Sequence, residues 1–322
     1  MYGKATAALI SGLLALNAAI PVRAADKVAV GSVDATSANL WPFRVAMTNG
    51  YFAAAGLDID LVFAQSNASV VQQLAAGSFS VAPTAGMVDP LRAIDKGAPV
   101  ALVRIVIQAP PYALLAKPAI QRIEDLRGKT ISIGGPKDIT RIFTERMLAP
   151  HGLKPSDYDY IFAGATSARF SALKSGAVDA ALLTMPYNFF AENAGFGNLG
   201  FTFDDLPDMP FAGMAVNREW ATAHADALRR FLDAYDKGIA WFDDPQNRDA
   251  AVALQMQVGK IAKSDVEKSY AFLHDKRLFE STSVVSRHKV ATVIAALRDL
   301  GDLPADFSVD RVLLPGVTRV SD

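Results

Sequence analysis

The sequence contains no cysteine, which excludes disulfides, thiolate metal sites, a cysteine nucleophile and a lipid-modified cysteine at a mature amino terminus. It also lacks an excess of either charge, because 32 Lys and Arg residues against 33 Asp and Glu residues give a net charge of −1. Without a basic field, the chain is not expected to bind nucleic acid or an acidic membrane surface. Its expected partners are small molecules or proteins.

The motifs of familiar catalytic sites are also missing. There is no Gly-x-Ser-x-Gly, Walker or dinucleotide-binding pattern, and Gly134-Gly135 lacks the Lys-Ser/Thr ending of a phosphate loop. The four histidines show no metal-ligand spacing. We therefore expect no metal, no cofactor and no enzymatic activity.

Residues 1–24 have the three-part form of a secretory signal peptide. Lys4 precedes an apolar run from Ala5 to Ile20, and Pro21 leads into the small-residue site Val22-Arg23-Ala24. The run is short of the roughly 20 residues of a membrane-spanning helix, and no later stretch is long and apolar enough. We expect cleavage after Ala24 and a soluble, unlipidated periplasmic protein that is not inserted in a membrane.

A duplicated segment is the main positive feature of the chain. Residues 62–82 and 161–181 align without a gap at an offset of 99. In each copy an apolar strand ends in a small polar loop, a helix begins at a Ser, Asn or Thr cap and ends at Gly, and a second apolar strand follows. Each copy is predicted to be a β-α-β unit, whose loops lie at the ligand-binding edge of a parallel sheet. The length of 322 residues allows two α/β lobes with these edges facing each other across a cleft.

Five segments in order resemble one protein family. They are Asn49-Gly50-Tyr51-Phe52, Gly56-Leu57-Asp58-Ile59, residues 74–81, Asp125-Leu126-Arg127-Gly128-Lys129 and residues 173–183. Together they are similar to the solute-binding components of ABC importers, in the SsuA or NMT1/THI5-like group that takes up sulfonates, nitrate, taurine and pyrimidine precursors. The resemblance implies a type II periplasmic binding fold with discontinuous lobes. It also implies that ligand binds in the cleft and that the closed form docks on a permease in the inner membrane.

The sequence departs from this family in two places. The thiamine-precursor synthases of the superfamily carry a cysteine-rich motif, and this chain has no cysteine. The loop from Gly134 to Asp138 places an acid beside a helix start, where an anion-binding member would prefer Ser or Thr.

The domain boundaries follow from where the chain changes lobes. We expect lobe 1 to comprise residues 25–115 and 212–322, and lobe 2 to comprise residues 116–211. Two crossings, near Leu115 to Pro118 and near Pro207 to Gly213, are predicted to form the hinge. The protein is expected to be a monomer.

The cleft should be lined by strand-end loops of both lobes. Short hydroxyl and amide side chains at helix starts are as typical of helix caps as of ligand contacts, so the prediction concerns the set. The candidate ligand-binding residues are Thr36, Ser37, Trp41, Gln65, Ser66, Asn67, Thr84, Gly86, Gln108, Lys137, Asp138, Gly164, Thr166, Thr184 and Tyr187.

Two candidates have explicit alternatives. Trp41 is expected either to stack on a ligand or to cover the core. Lys137 is the best-placed cation for a carboxylate or sulfonate, with the neighbouring Asp138 as a competing partner. Arg141 and Arg169 lie further along their helices and are predicted to be solvated or to form salt bridges between lobes.

The leading hypothesis is a solute-binding protein that captures a small organic sulfonate or carboxylate by lobe closure and does no chemistry. An apolar part of the ligand would suit Trp41, Met185 and Tyr187. One alternative is an enzyme on the same scaffold, such as a pyrimidine-precursor synthase or a dehydratase relative. Another is a periplasmic ligand sensor that delivers its closed form to a receptor.

Overall fold

The computed structural model describes residues 24–33 and 35–322. The predicted signal peptide therefore lies, apart from Ala24, outside the described residues. Within the described part of the chain, no helix combines the length and the apolar character needed to cross a bilayer.

Twelve strands are found in this part of the chain. They are β1 (Asp26–Ser32), β2 (Leu57–Phe63), β3 (Val81–Gly86), β4 (Val100–Ile107), β5 (Tyr112–Ala116), β6 (Thr130–Ile133), β7 (Asp159–Phe162), β8 (Ala180–Thr184), β9 (Gly197–Phe201), β10 (Ala212–Asn217), β11 (Val284–Ser286) and β12 (Arg319–Ser321).

The α-helices of the described residues number thirteen. They are α1 (Trp41–Thr48), α2 (Tyr51–Ala54), α3 (Asn67–Ala75), α4 (Val88–Asp95), α5 (Ile139–Leu148), α6 (Thr166–Lys174), α7 (Tyr187–Asn193), α8 (Thr202–Asp205), α9 (Arg218–Ala223), α10 (Ala225–Asp243), α11 (Arg248–Gly259), α12 (Lys263–Asp275) and α13 (Arg287–Asp299).

Two five-stranded sheets share one topology. The first has the order β2-β1-β3-β10-β4 and the second the order β7-β6-β8-β5-β9. In each sheet the first three strands are parallel, and the fourth strand, β10 or β5, is antiparallel to both of its neighbours. The duplicated segment forms β2-α3-β3 in one sheet and β7-α6-β8 in the other. The prediction of two α/β lobes built on paired β-α-β units is therefore confirmed.

Apolar side chains cover both faces of each sheet. One buried cluster contains residues of α3, α4, α13 and α5, and another contains residues of α1, α10, α11 and α12. A third joins α6 and α7 to the second sheet. Strand β4 is buried along its whole length, including Arg104, which interrupts its apolar sequence and forms an ion pair with Asp236.

The first crossing between lobes differs from its predicted place. Strand β5 pairs with β8 and β9 of the second sheet, so Tyr112–Ala116 belongs to lobe 2. The predicted lobe boundary after residue 115, and a hinge near Leu115 to Pro118, are therefore wrong. The error arose because an extended segment before Lys117-Pro118 is equally compatible with either sheet. The chain crosses at residues 108–111, and it returns between β9 and β10 at residues 202–211.

Candidate functional site

Each lobe carries an equivalent loop after one of its outer strands. After β2, the Ala64 N–H donates to Ser32 O at 2.8 Å, and after β7 the Ala163 N–H donates to Ile133 O at 3.0 Å. Each loop thus leaves the carboxyl end of an outer parallel strand, the edge where ligands of open α/β sheets bind. Phe189 of α7 packs on the first lobe, since it belongs to a buried cluster made chiefly of first-lobe residues.

Asn67 stabilises the edge of the first lobe that is formed by the loops after β2 and β3, here called the first rim. Its Nδ2 donates to Gly86 O and to the Asp89 carboxylate, and its Oδ1 accepts from the Gly86 N–H at 3.0 Å. Asn67 and Gly86, both predicted as site residues, are therefore brought together. Ser66 caps α3 by accepting from the Ser69 N–H at 3.1 Å, and its side chain is exposed. A contact of Ser66 with ligand stays a prediction.

Asp89 also lies at the first rim, although its position in the sequence does not indicate a site residue. Burial raises its pKa, while the hydrogen bond from Asn67 and the charge of Arg92 lower it. The charge of Asp138, from the second lobe, raises the pKa of Asp89 further. Arg92 Nη1 lies 3.8 Å from the Asp89 carboxylate and also donates to Lys137 O, next to Asp138, so this part of the first lobe contacts the second lobe. Thr84, half-buried in β3, and the exposed Gln65 lie on elements of this rim and stay predicted contacts.

The loop after β1 is held in place by two buried polar side chains, those of Arg44 and Gln255. Arg44 donates to Ala35 O and Ser37 O, and Gln255 donates to Thr36 O at 2.8 Å. Arg44 Nη1 also donates to Gln255 Oε1 at 3.0 Å. Thr36 and Ser37 are half-buried, and Ser37 accepts from the Asn39 N–H at 3.2 Å. The backbone of this loop is positioned before any ligand arrives.

Two first-lobe candidates have structural roles. Trp41 is 0% exposed, its indole N–H donates to Ala251 O at 3.0 Å, and its ring packs edge-on against Phe242 and Tyr270. It covers the core, which was the alternative interpretation, because a Trp beside Pro42 at a helix start faces inward here. Gln108 donates to a backbone carbonyl, and its Oε1 accepts from Lys289 Nζ at 3.2 Å. These contacts fix Gln108 to the first lobe, and a contact of Gln108 with ligand stays a prediction, whereas the fully buried Trp41 is not a ligand-binding residue.

In the second lobe, Asp138 caps α5. Its Oδ1 accepts from the Thr140 N–H at 2.9 Å, and the Thr140 hydroxyl accepts from the Gly134 N–H at 2.8 Å. A Cβ at Gly134 would stand 2.5 Å from the Asp138 carboxylate, so only glycine leaves room for this packing. Asp138 therefore has a structural partner, and it does not pair with Lys137.

Arg169 is a buried cation at the matching edge of the second lobe, which is formed by the loops after β6, β7 and β8 and is here called the second rim. It is 3% exposed. Nε donates to Leu182 O at 2.8 Å, and the two terminal nitrogens donate to Gly164 O and to Thr166 Oγ1. No carboxylate of the described residues forms a salt bridge with it. The prediction that Arg169 is solvated or bridges the lobes is wrong, because it points back from α6 over the loop that precedes the helix.

The surroundings of Arg169 complete the second rim. Its guanidinium lies 5.8 Å from the centre of the Tyr112 ring. Burial raises the pKa of Tyr112 to about 12 against the lowering effect of Arg169, so the phenol stays neutral at physiological pH. Thr166 and Thr184 hydroxyl oxygens are 3.4 Å apart, and half-buried Tyr187 packs against Phe190.

Lys137 has a different partner from either predicted one. Its Nζ lies 3.3 Å from Asp302 Oδ1 of the first lobe, and its backbone carbonyl accepts from Arg92. Arg92 also forms an ion pair with Asp302. This cluster of Arg92, Lys137 and Asp302, together with Asn193 Nδ2 donating to Asp265 Oδ1 at 3.1 Å, ties the lobes together.

Replacing Asp302 by Asn is expected to lower the free energy of unfolding by about 1–3 kcal/mol, most of it from Arg92, because Lys137 is largely exposed. Burial alone would raise the pKa of Asp302, but the hydrogen bonds and charges of Arg92 and Lys137 outweigh it and the pKa is lowered from 3.8. The stabilisation is therefore complete above pH 3.8 and is lost as the pH falls through the lower folded-state value. Urea titrations across this pH range measure it. An unchanged difference between the two proteins at low pH would contradict the ion pair, and Asp306→Asn, at an exposed position, is the control.

Comparisons with known proteins agree on the fold. A family model described as NMT1/THI5 like matches residues 37–248. The alkanesulfonate-binding protein SsuA from Xanthomonas axonopodis pv. citri superposes with a TM-score of 0.70 at 19% identity, covering 92% of this chain and 99% of that one. The periplasmic nitrate-binding protein NrtA from Synechocystis PCC 6803 gives a TM-score of 0.72 at 15% identity, covering 89% and 84%. The fold is thus that of periplasmic binding proteins, as predicted.

A curated relative comes from a different functional class. The 4-amino-5-hydroxymethyl-2-methylpyrimidine phosphate synthase THI13 of Saccharomyces cerevisiae is 28% identical over 144 residues, which is 44% of this chain. The match spans 41% of that relative's length.

Proposed function

The chain belongs to the NMT1/THI5-like family, and from this membership we propose that it is the solute-binding component of an ABC importer. It captures a small organic anion between its lobes and delivers it to a permease in the inner membrane. The protein acts as an unlipidated periplasmic monomer after removal of the segment up to Ala24. The signal-peptide pattern of the sequence supports this localisation.

The burial of Arg169 without a salt bridge is the observation that supports an anionic ligand most strongly. A guanidinium has five N–H donors, and three of those of Arg169 donate to Leu182 O, Gly164 O and Thr166 Oγ1, while no carboxylate of the described residues pairs with its charge. A buried charge is costly unless it is paired. A sulfonate or carboxylate bound at the rim would accept the remaining N–H groups and neutralise the charge.

Lobe closure follows from the position of the contacts. The rims of Asn67 and Arg169 belong to different sheets, and a ligand touches both only when the lobes are together. Ligand therefore shifts the equilibrium toward the closed form by its higher affinity for that form. The segments 108–111 and 202–211 serve as the hinge, because they are the crossings between the sheets.

Matched pairs of ligands test the charge requirement without altering the protein. We expect propanesulfonate or hexanoate to raise Tm, while the neutral propanesulfonamide and hexanamide do not. A ligand present at 100 times its Kd stabilises by about 2.7 kcal/mol, which is readily measured. Stabilisation by neutral or cationic compounds, with none by a panel of sulfonates and carboxylates, would overturn the anion proposal.

A second candidate is an enzyme on the same scaffold, favoured by the similarity to the yeast synthase. Asp89 and Asp138 are near each other at the cleft and are ionisable groups of the kind that acid–base catalysis uses. Conversion of a bound compound to a product of different mass during incubation would establish this alternative. Recovery of the compound unchanged favours transport.

A further inference from the structure

Asn188 is a buried polar side chain without a partner. It is 1% exposed, and neither its Oδ1 nor its Nδ2 makes a hydrogen bond. Almost all buried polar groups in folded proteins are hydrogen-bonded, because losing water without a replacement is costly. Because neither the oxygen nor the nitrogen of this amide has a partner, we expect it to form hydrogen bonds with a molecule outside the chain.

The duplication places Asn188 at the cleft. Residue 188 follows residue 89 by 99 positions, the offset of the repeat, and α4 and α7 begin at residues 88 and 187, also 99 apart. Asn188 is therefore the second-lobe equivalent of Asp89. Asp89 lies at the first rim, where it accepts from Asn67 Nδ2 and lies 3.8 Å from Arg92, which donates to Lys137 O of the other lobe.

The neighbours of Asn188 along the chain support this location. Phe189 packs into a buried cluster made chiefly of first-lobe residues, so the start of α7 lies where the lobes meet. Thr184, at the end of the preceding strand, is 3.4 Å from Thr166, which in turn accepts from Arg169. Asn188 thus belongs to the part of the second lobe that carries Arg169.

We propose that Asn188 is a ligand-binding residue of the cleft and that its amide forms a pair of hydrogen bonds with the ligand. Its Nδ2 donates to an acceptor, and its Oδ1 accepts from an N–H or O–H beside that acceptor. The ligand then carries a neutral donor–acceptor edge, such as a carboxamide, in addition to the anionic group that Arg169 binds. This inference rests on the proposed function and narrows its substrate class.

Two probes of nearly equal shape test the donor–acceptor edge. Succinamate carries a carboxylate and a carboxamide, and 4-oxopentanoate has a methyl group in place of the amide NH₂. We expect the wild-type protein to bind succinamate at least about tenfold more tightly than 4-oxopentanoate by calorimetry. In Asn188→Leu this preference should disappear. Equal affinity in the wild type, no binding of succinamate, or a preference that survives in Asn188→Leu would each overturn the inference.

The stability of the unliganded variant separates a ligand contact from a structural role. Asn188→Leu removes two unpaired polar atoms at similar volume, so its Tm should equal or exceed that of the wild type. Asn217→Leu is the matched control, because Asn217 is also buried but donates to Leu74 O at 2.9 Å and accepts from the Trp220 N–H at 2.8 Å. Asn217→Leu should lower Tm. A comparable loss in Asn188→Leu would show that the amide is structural and would contradict the proposal.

The two proposals fail separately. If sulfonates and carboxylates bind in an Arg169-dependent manner but Asn188→Leu leaves selectivity unchanged, only the role of Asn188 is wrong. If no anion binds the wild-type protein, the proposed function itself is wrong.

Discussion

Replacing Arg169 by Gln is expected to weaken binding of an anionic solute by about 100-fold or more. Removing one partner of a buried, hydrogen-bonded charge pair typically costs 2–5 kcal/mol, and about 2.7 kcal/mol corresponds to 100-fold in Kd. The effect should be large because Arg169 is 3% exposed and forms no salt bridge with the described residues. Calorimetric titration with the sulfonate or carboxylate that raises Tm most measures the change.

Two further variants separate charge from structure at this position. Arg169→Lys retains the charge but not the planar fork, and we expect affinity between that of the wild type and of Arg169→Gln. Arg127→Gln removes an arginine of the same lobe whose side chain is 59% exposed and pairs with Asp157 at 2.7 Å, so it should bind normally. If a folded Arg169→Gln protein bound the anion within about threefold of the wild type, Arg169 would not be the anion-binding residue.

Replacing Thr202 by Val should destabilise the protein by about 2–4 kcal/mol. Thr202 is fully buried, its hydroxyl donates to Pro110 O at 2.8 Å, and it accepts from the Tyr112 N–H at 3.2 Å. These bonds join the two crossings between the lobes. Valine has the same shape but leaves both backbone groups unpaired, and urea unfolding measures the cost.

Thr222→Val is the control for this prediction. The Thr222 hydroxyl donates to Arg218 O at 2.8 Å on the exposed side of a helix, where water can replace it. Its substitution should change the free energy of unfolding by less than about 0.5 kcal/mol. Equal effects at both positions would show that the crossings are not held by Thr202.

The two-lobed architecture could be predicted from the sequence because the β-α-β segment is duplicated. The offset of 99 aligns β2, α3 and β3 with β7, α6 and β8, and both copies form the predicted units. The sequence pattern also predicts helices over residues 226–242, 248–257 and 286–300, and the structure has them as α10, α11 and α13. The pattern of residues 264–274 likewise predicts a helix, found as α12, but the capping box that Ser264 and Glu267 suggest does not form, because the helix begins at Lys263 without a side-chain cap.

Long-range pairing was harder to predict than local structure. The sequence of β5 is compatible with pairing in either sheet. Only the observed pairing with β8 and β9 assigns this strand to the second lobe. Strand β9 lies in a stretch rich in Gly and Asp that has no period, since it is a half-buried edge strand.

The site was predicted where the residues form local caps and missed where they act across elements. Ser66 and Asp138 cap their helices as predicted. By contrast, α6 has no side-chain cap, and Thr166 instead accepts from Arg169. A signal for Arg169 was present, because the offset aligns it with Val70, which is 1% exposed. An arginine at a position that its duplicate fills with a buried valine indicates a buried charge.

The central claim is that solute brings the two rims together, and electron–electron distance measurements test it most directly. The chain has no cysteine, so Val62→Cys and Ile161→Cys would place nitroxides only on the outer strands β2 and β7, at positions each 42% exposed. These strands are the ones farthest in sheet order from the strands that carry the crossings. The account predicts a longer, broader distance distribution without solute and a shift to one shorter distance on adding the stabilising anion. An unchanged distribution at saturating anion would contradict it.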